Sequence, residues 1–349
     1  VTSRTTAHPT GHKTGHTSGR VRVAVVGAGG WGRQHARIFA GRNDTELVGV
    51  LGRSPERTAA RAQEYDTTPY TDLDQLLEAA KPDLVSVCLP NEDHFEVTLR
   101  LLRAGTNLLV EKPLVFDLDE ADRLLAAAAD SGSFFAINFN HRYAEPFLRA
   151  KAAVDAGELG RLTFLTWRFG GEANRGRSPH ANLIETQCHG FDLLEHLGGP
   201  IESVTAQMGN ATYGAYSTVA IALTFTSGAV GTLLGSYDSS YAYPGTQQVE
   251  VNGTRGRVVV DDTVRRFTFS RAGDETRTVW EAGYFNDEAR SFHATFDRHV
   301  DEVLAAFREG APPPVPAAAG RRALQLAQAA ISSYESGRRV QTPEPTPGD

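Results

Sequence analysis

Short apolar runs separated by amphipathic stretches mark the first 140 positions. VRVAVVG (21–27) reads as a buried strand, and the segment from Trp31 to about Gly41 as the helix that follows it. LVGVL (47–51) with SPERTAARAQEY repeats the unit. DLVSVCLP (83–90) does so again with a helix from about Phe95 to Ala104, and TNLLVEKPL with DLDEADRLLAAAAD. FFAINFN (134–140) is a last strand. Strands alternating with helices at this spacing predict βαβ units and a doubly wound parallel sheet, an α/β class.

Near 140 the rhythm breaks. LTFLTWRF, SVTAQMG, STVAIALTFTSG, AVGTLLGSY, QQVEVNG, RVVVDD and RRFTFSR are long and strand-like. Helices interrupt only at about 144–157, 184–197, 287–309 and 319–337. This predicts a second, α+β domain on a mostly antiparallel sheet. STVAIALTFTS alternates. Val219, Ile221, Leu223 and Phe225 make an apolar face; Thr218, Ala220, Ala222, Thr224 and Thr226 make a small, flat one that suits sheet-to-sheet association of subunits. A homodimer or homotetramer is the expectation. Residues 1–20, which contain His8, His12 and His16 among Gly and Pro, and 341–349 carry no periodicity and read as disordered tails. The expected division is therefore 1–20, 21–140, 141–340 and 341–349.

Composition narrows the class. In 349 residues, 40% hydrophobic and 22% charged content is ordinary for globular domains, and the net charge of −7 argues against a nucleic-acid partner. Two cysteines, Cys88 and Cys188, without a CxxC pair, predict a reducing compartment. No apolar run spans a membrane and no signal-like segment opens the chain, so a soluble, cytoplasmic protein is expected. Of the 35 basic residues only four are Lys: Lys13, Lys81, Lys112 and Lys151. Lys112, in LLVEKPLV, therefore stands out as the cation able to change its pKa on burial.

Gly27-Ala28-Gly29-Gly30-Trp31-Gly32 is GxGxxG directly after a strand and at the start of a helix. The first Gly allows the turn, the second a close pyrophosphate, the third helix-on-strand packing. Residues 21–140 are thus a dinucleotide-binding domain. At the end of the second strand, where an acidic residue ordinarily holds the ribose of NAD, the chain reads Gly52-Arg53-Ser54. Arg53 and Ser54 suit a 2′-phosphate, so NADP is favoured, with NAD as the alternative in which Arg53 only stacks on adenine. Pro90-Asn91-Glu92-Asp93-His94 and Glu111-Lys112-Pro113 both end strands, where ligands of such sheets sit. Turn formation and capping are the other reading of Asn91 and His94.

In 184–197, Glu185, His189, Asp192 and His196 fall at i, i+4, i+7 and i+11, one polar helix stripe. It is either a solvated face or a proton-transfer site in which Asp192 or Glu185 orients the imidazole. A Glu-x-x-Cys-His zinc site lacks an evident fourth ligand, so no metal is expected. Arg168, Arg175 and Arg177, with His180 beyond, lie on a strand and loop that either meet an anionic substrate or stay solvated. Tyr237, Tyr241 and Tyr243 either stack on a sugar ring or pack a loop.

Together, GAGGWG, PNEDH, EKP and the HxxD helix resemble the Gfo/Idh/MocA oxidoreductases, the glucose–fructose oxidoreductase and inositol dehydrogenase family, over about residues 21–340. The resemblance implies a Rossmann domain followed by an open-faced substrate-binding and oligomerisation domain. It also implies NAD(P)-linked oxidation or reduction of a ring hydroxyl or ketone of sugars, sugar derivatives and cyclitols. By position Lys112 matches the EKP lysine and His189 the catalytic histidine. Glu185 stands where the family often has Asp, and Asn138 and Arg142 of NFNHRY match a stretch near cofactor and substrate. The implied catalytic set is Lys112, His189 and Glu185. Substrate contacts add Arg168 and Asp192; cofactor contacts are Gly27, Gly29, Gly30, Trp31, Gly32, Arg53, Ser54, Pro90, Asn91, His94, Glu111, Lys112, Asn138 and Arg142. His189 would take the hydroxyl proton in oxidation while Lys112 polarises the same oxygen. Two rivals share the fold: a redox-neutral glycosidase that uses NAD transiently, and a ligand-sensing regulator without catalysis.

Overall fold

The computed structural model describes residues 19–171, 178–211 and 215–343. His8, His12 and His16, Arg175 and Arg177, and the last six residues lie outside them. Contacts divide the chain into two units. The first runs to Glu111 and adds Asp119–Ile137 and Val300–Ala317; the second is Lys112–Leu118, Asn138–His299 and Ala318 onward.

The first unit follows β1 (Val21–Val26), α1 (Gly30–Ala40), β2 (Thr45–Leu51), α2 (Pro55–Glu64), β3 (Pro69–Tyr70) and α3 (Leu73–Ala80). It continues with β4 (Leu84–Val87), α4 (Asn91–Arg103), β5 (Asn107–Val110), α5 (Leu118–Ser131) and β6 (Phe135–Ile137). The strands form one six-stranded sheet in the order β3-β2-β1-β4-β5-β6, every pairing parallel. Strands covered on both faces are mostly apolar, and β4 and β6 are buried at every residue, with Ser86 the polar exception. Side-chain caps set the helix starts: Ser54 accepts from Arg57 N with Pro55 just inside α2, and Asp72 accepts from Gln75 N at α3. β3 and α3 were not predicted. Two residues are too few for a strand pattern, and eight make a weak helical one.

A boundary at 140 is too simple for this unit. β6 is an edge strand, and its Ile137 N–H donates to Val315 O (3.1 Å). Phe307 meets Phe134 edge-on at 5.5 Å, and Arg308 donates to Asp44 O (2.7 Å). A returning segment thus closes an edge that local sequence leaves open.

The second unit holds α6 (Glu145–Asp155), β7 (Leu162–Gly170), α7 (Cys188–Gly198), β8 (Ile201–Gly209), β9 (Thr218–Phe225), β10 (Val230–Ser236), β11 (Gln247–Gly253) and β12 (Gly256–Asp261). Then come β13 (Arg266–Arg271), β14 (Arg277–Glu281), α8 (Asp287–Arg290), α9 (Ala294–Glu309, shared with the first unit), α10 (Ala317–Ser336) and β15 (Val340–Gln341). Its nine-stranded sheet runs β14-β13-β12-β11-β7-β10-β9-β8-β15; β7 and β10 pair in parallel and the other neighbours antiparallel.

Alternation sorts this sheet into two faces. Leu165, Trp167, Val219, Ile221, Leu223, Phe225, Leu233, Val249 and Val251 are buried on one. Val230 and Leu234 are 55% and 41% exposed on the other, with Ala220, Ala222 and Thr232 beside them. The helix predicted over 287–309 is interrupted, because Ser291 turns extended after α8. Positions 341 and 342, expected in a tail, belong to the sheet edge. Gln341 pairs with Ser203 of β8, and Thr342 N donates to Glu202 O. No helix among the described residues is long and apolar enough to cross a membrane.

Candidate active site

In the first unit the glycine loop sits at the carboxyl end of β1, where the strand order reverses direction between β1 and β4. Gly27 holds φ +128°, and a Cβ on it would fall 2.3 Å from Cys88 O; one on Gly32 would fall 1.7 Å from Gly27 O. Both positions demand glycine. Gly29 and Gly30 have open space where a Cβ would point, so a ligand can approach the backbone there. α1 has no side-chain cap and no acid in its first turn, and its free N–H groups and dipole favour an anion. Trp31 is 45% exposed beside them. These residues fit a dinucleotide pyrophosphate. Pro90 precedes α4, Asn91 opens it, and His94 is buried.

At the end of β2, Arg53 and Ser54 both have acidic neighbours. Arg53 lies 3.1 Å from Asp93, a carboxylate brought by α4, and its side chain is 75% exposed. Ser54 caps α2 and donates to Glu56 Oε2 (3.1 Å). The end of β2 carries no acid of its own, and these two carboxylates come from α4 and α2. Glu111, expected at the cofactor, is buried and accepts from His35 Nε2 (2.8 Å), whose Nδ1 lies 2.8 Å from Ser86 Oγ. Burial works against a charge on His35, but Cys88 and Glu111 outweigh it and push the imidazole up to about 10.

Lys112 belongs to the second unit. Its Nζ donates to the backbone oxygen of Glu185 (3.1 Å). Glu185 lies in a π-helical turn, Asn182–Thr186, in which Gln187 N reaches back to Asn182 O. That wider turn breaks the register between Glu185 and α7, so the expected stripe is not a single straight face. Gln187 follows, buried, accepting from Trp167 Nε1 (2.8 Å) and donating to Asn182 Oδ1 (3.0 Å). A Cβ on Gly190 would lie 2.6 Å from Trp167 Nε1. This close approach seats α7 on β7.

His189, in the first turn of α7, is 6% exposed. It stacks on His141, with centroids 3.9 Å and planes 7° apart, and Phe139 meets it edge-on at 5.7 Å. Burial, then His141 and the Lys112 ammonium, hold His189 well below the ordinary imidazole range. Burial and Lys112 take His141 down to about 3. His141 was missed in the sequence, although it lies between Asn138 and Arg142. A histidine in a short polar stretch after an apolar strand carries no periodic signal, and the signal that was available is the density of polar side chains in NFNHRY.

The other expected side chains make the following contacts within the protein. Arg142 donates to both oxygens of Asp192 (2.8 and 2.5 Å), so that carboxylate does not orient the imidazole. Burial pushes Asp192 up against the pull of Arg142. Asn138 Oδ1 lies 2.7 Å from His299 Nδ1. Arg168 alternates with Trp167 on β7, so it points to the opposite sheet face, where it donates to Gly245 O (2.6 Å). Tyr237 shares a hydrogen bond with Thr186 Oγ1 (2.7 Å), while Tyr241 and Tyr243 are exposed. Cys188 donates to Glu185 O, and burial pushes its thiol up to about 12. That setting opposes the thiolate a zinc site needs. Among the described residues no group of three metal-ligating side chains forms.

Comparison with known proteins agrees with this layout. Residues 21–139 match the oxidoreductase family with an NAD-binding Rossmann fold, and residues 147–259 match the GFO/IDH/MocA C-terminal domain. Inositol 2-dehydrogenase of Rhizobium meliloti is 27% identical over 346 residues, covering 92% of this chain and 98% of the relative. D-glucoside 3-dehydrogenase of Escherichia coli is 33% identical over 199 residues, 53% of this chain and 57% of the relative. Among solved structures, levoglucosan dehydrogenase in complex with NADH superposes with a TM-score of 0.84 at 18% identity, covering 93% of this chain and all of that one. With both of its domains matched, the chain belongs to the Gfo/Idh/MocA oxidoreductase family.

Proposed function

We propose that Lys112 and His189 form the proton-handling pair of a dinucleotide-dependent dehydrogenase acting on a CH–OH group of a sugar, sugar derivative or cyclitol. The observation that carries this reading is that the Lys112 ammonium, seated on the Glu185 carbonyl just before α7, acts electrostatically on the buried His189 ring in the first turn of α7. A nicotinamide supplies the hydride acceptor in oxidation and the donor in reduction. His189, held neutral, takes the proton from the substrate hydroxyl, or returns it to the carbonyl oxygen in the reverse direction. Lys112, fixed by the Glu185 carbonyl, polarises that same oxygen and favours its deprotonated form. Glu185 contributes through its backbone.

NAD is the cofactor favoured by the ribose end. Asp93 beside Arg53, and Glu56 beside Ser54, place negative charge where a 2′-phosphate would have to fit. The flat strip of Ala220, Ala222, Thr232, Val230 and Leu234 supports self-association through the exposed sheet face. A sharp monomer peak in sedimentation at working concentration would remove that part.

The test is an absorbance screen for reduced nicotinamide with sugars, cyclitols and their keto forms, NAD and NADP in parallel. Turnover with at least one polyol, faster with NAD, is expected. Turnover of a glycoside with no net change in reduced cofactor would replace the dehydrogenase by the redox-neutral reaction. Silence throughout the panel, alongside measurable dinucleotide binding, would leave the sensing role.

A further inference from the structure

A histidine base is ordinarily oriented by a hydrogen bond from its second nitrogen to a carboxylate or carbonyl. His189 departs from this pattern. Its Nδ1 is buried with no hydrogen-bond partner among the described residues, and Asp192, one turn on, is taken up by Arg142. What lies against the ring is another ring. The His141 and His189 planes are 7° apart at a 3.9 Å centroid separation.

His141 is itself firmly held. Gln247, buried, donates from Nε2 to its Nδ1 (3.4 Å), and Phe292 meets it edge-on at 5.4 Å. The 3-10 turn that carries it, Asn140–Tyr143, is clamped on both sides of His141. Asn140 donates to Thr295 Oγ1 (2.7 Å), and Arg142 pairs with Asp192. A ring so braced can fix its neighbour by contact alone.

We propose that His141 is the positioning residue for His189, orienting the imidazole by ring stacking in place of a hydrogen-bonded carboxylate. This rests on the reading of His189 as the base. The electrostatic consequence has the opposite sign to that of a carboxylate partner, which raises an imidazole pKa and stabilises its protonated form. The charges that act on His189 are Lys112 and His141; Asp192 and Glu185, with Lys112, act on the adjoining Cys188, and Glu185 also acts on Tyr237. Lys112 and His141 both disfavour a proton on His189. The stacked arrangement thus keeps the base in its accepting form well into the acid range.

The experiment uses the full chain and three variants, His141→Leu, His141→Phe and His141→Asp. The readouts are kcat and kcat/KM against pH with NAD and the polyol turned over fastest in the absorbance screen, and histidine titration by NMR without substrate. His141→Leu is expected to lower kcat by roughly 10²-fold, the scale of a small misplacement of a reacting group, with dinucleotide affinity unchanged. His141→Phe restores a flat ring and most of that loss. His141→Asp moves the acid limb of kcat/KM, and the His189 titration, upward by about 1–3 pH units. A native rate in His141→Leu, no rescue by His141→Phe, or a fixed acid limb in His141→Asp would overturn the proposal. Should His141→Leu not fold, Gln247→Leu loosens the same ring: a fall in kcat supports the proposal and an unchanged kcat overturns it. If the wild-type protein oxidises no polyol, the functional reading fails by itself. The NMR titration then decides this proposal separately, and an unmoved His189 in His141→Asp overturns it.

Discussion

His35 in the first unit and His189 in the second are both buried histidines on helices, α1 and α7, yet their surroundings treat charge in opposite ways. His35 has a carboxylate at 2.8 Å and a serine hydroxyl on its other nitrogen, and Cys88 and then Glu111 push it up to about 10 against burial. His189 has a second imidazole on its face, a lysine nearby, and is pushed down. A histidine saturated with partners locks a core in place. One held against ring faces and a cation is kept neutral, as the proposed proton acceptor requires. Burial alone does not separate the two roles; the identity of the neighbour does.

The comparison breaks most easily at the pair proposed to handle the proton, Lys112 and His189. His189→Ala and Lys112→Met should each lower kcat by roughly 10²–10⁴-fold, with dinucleotide affinity intact by fluorescence titration. Near-native turnover in either would remove its assigned role. On the other side, His35→Leu removes a charged partner from the buried Glu111 carboxylate and should cost about 3–5 kcal/mol of stability by denaturant titration. A loss below about 1 kcal/mol would mean that the pair is not structural.

Acidity sharpens the contrast. The depressed pKa values of His141 and His189 mean that the unfolded chain binds protons first. Their stabilisation is therefore complete above pH 6.5 and is lost as pH falls, by up to about 1.4 kcal/mol per pH unit for each histidine. His35, being raised, contributes fully below pH 6.5 and loses its contribution as pH climbs through about 10. Denaturation midpoints at pH 5.5, 7 and 9 should show His141→Phe flattening only the acid side and His35→Gln only the alkaline side. Smallest is the exposed pair. Asp93→Asn should improve NADP relative to NAD by roughly two- to five-fold, the worth of a solvent-screened charge. An unchanged ratio of kcat/KM would detach Asp93 from cofactor choice.

What the sequence disclosed follows the range of its signals. Strand runs such as VRVAVVG and the glycine spacing of GAGGWG are local, so the parallel sheet and its phosphate loop were readable. Asp93 beside Arg53 is a meeting of residues forty positions apart on different elements, and local reading put no acid at the ribose end. The π-helical turn at 182–186 hid in a stretch with ordinary helical composition, which made Glu185, His189 and Asp192 look like one stripe. His141 showed no pattern at all; only packing reveals its ring.

The return of Val300–Ala317 to the first unit also bears on how the molecule can be taken apart. Cut after residue 140, the nucleotide half would lose the carbonyl that receives Ile137 N–H and the ring that covers Phe134, leaving β6 as a sticky rim prone to self-pairing. It is not a detachable cassette. Engineers who wish to graft it elsewhere will have to carry that downstream segment along, joined by a linker or by circular permutation.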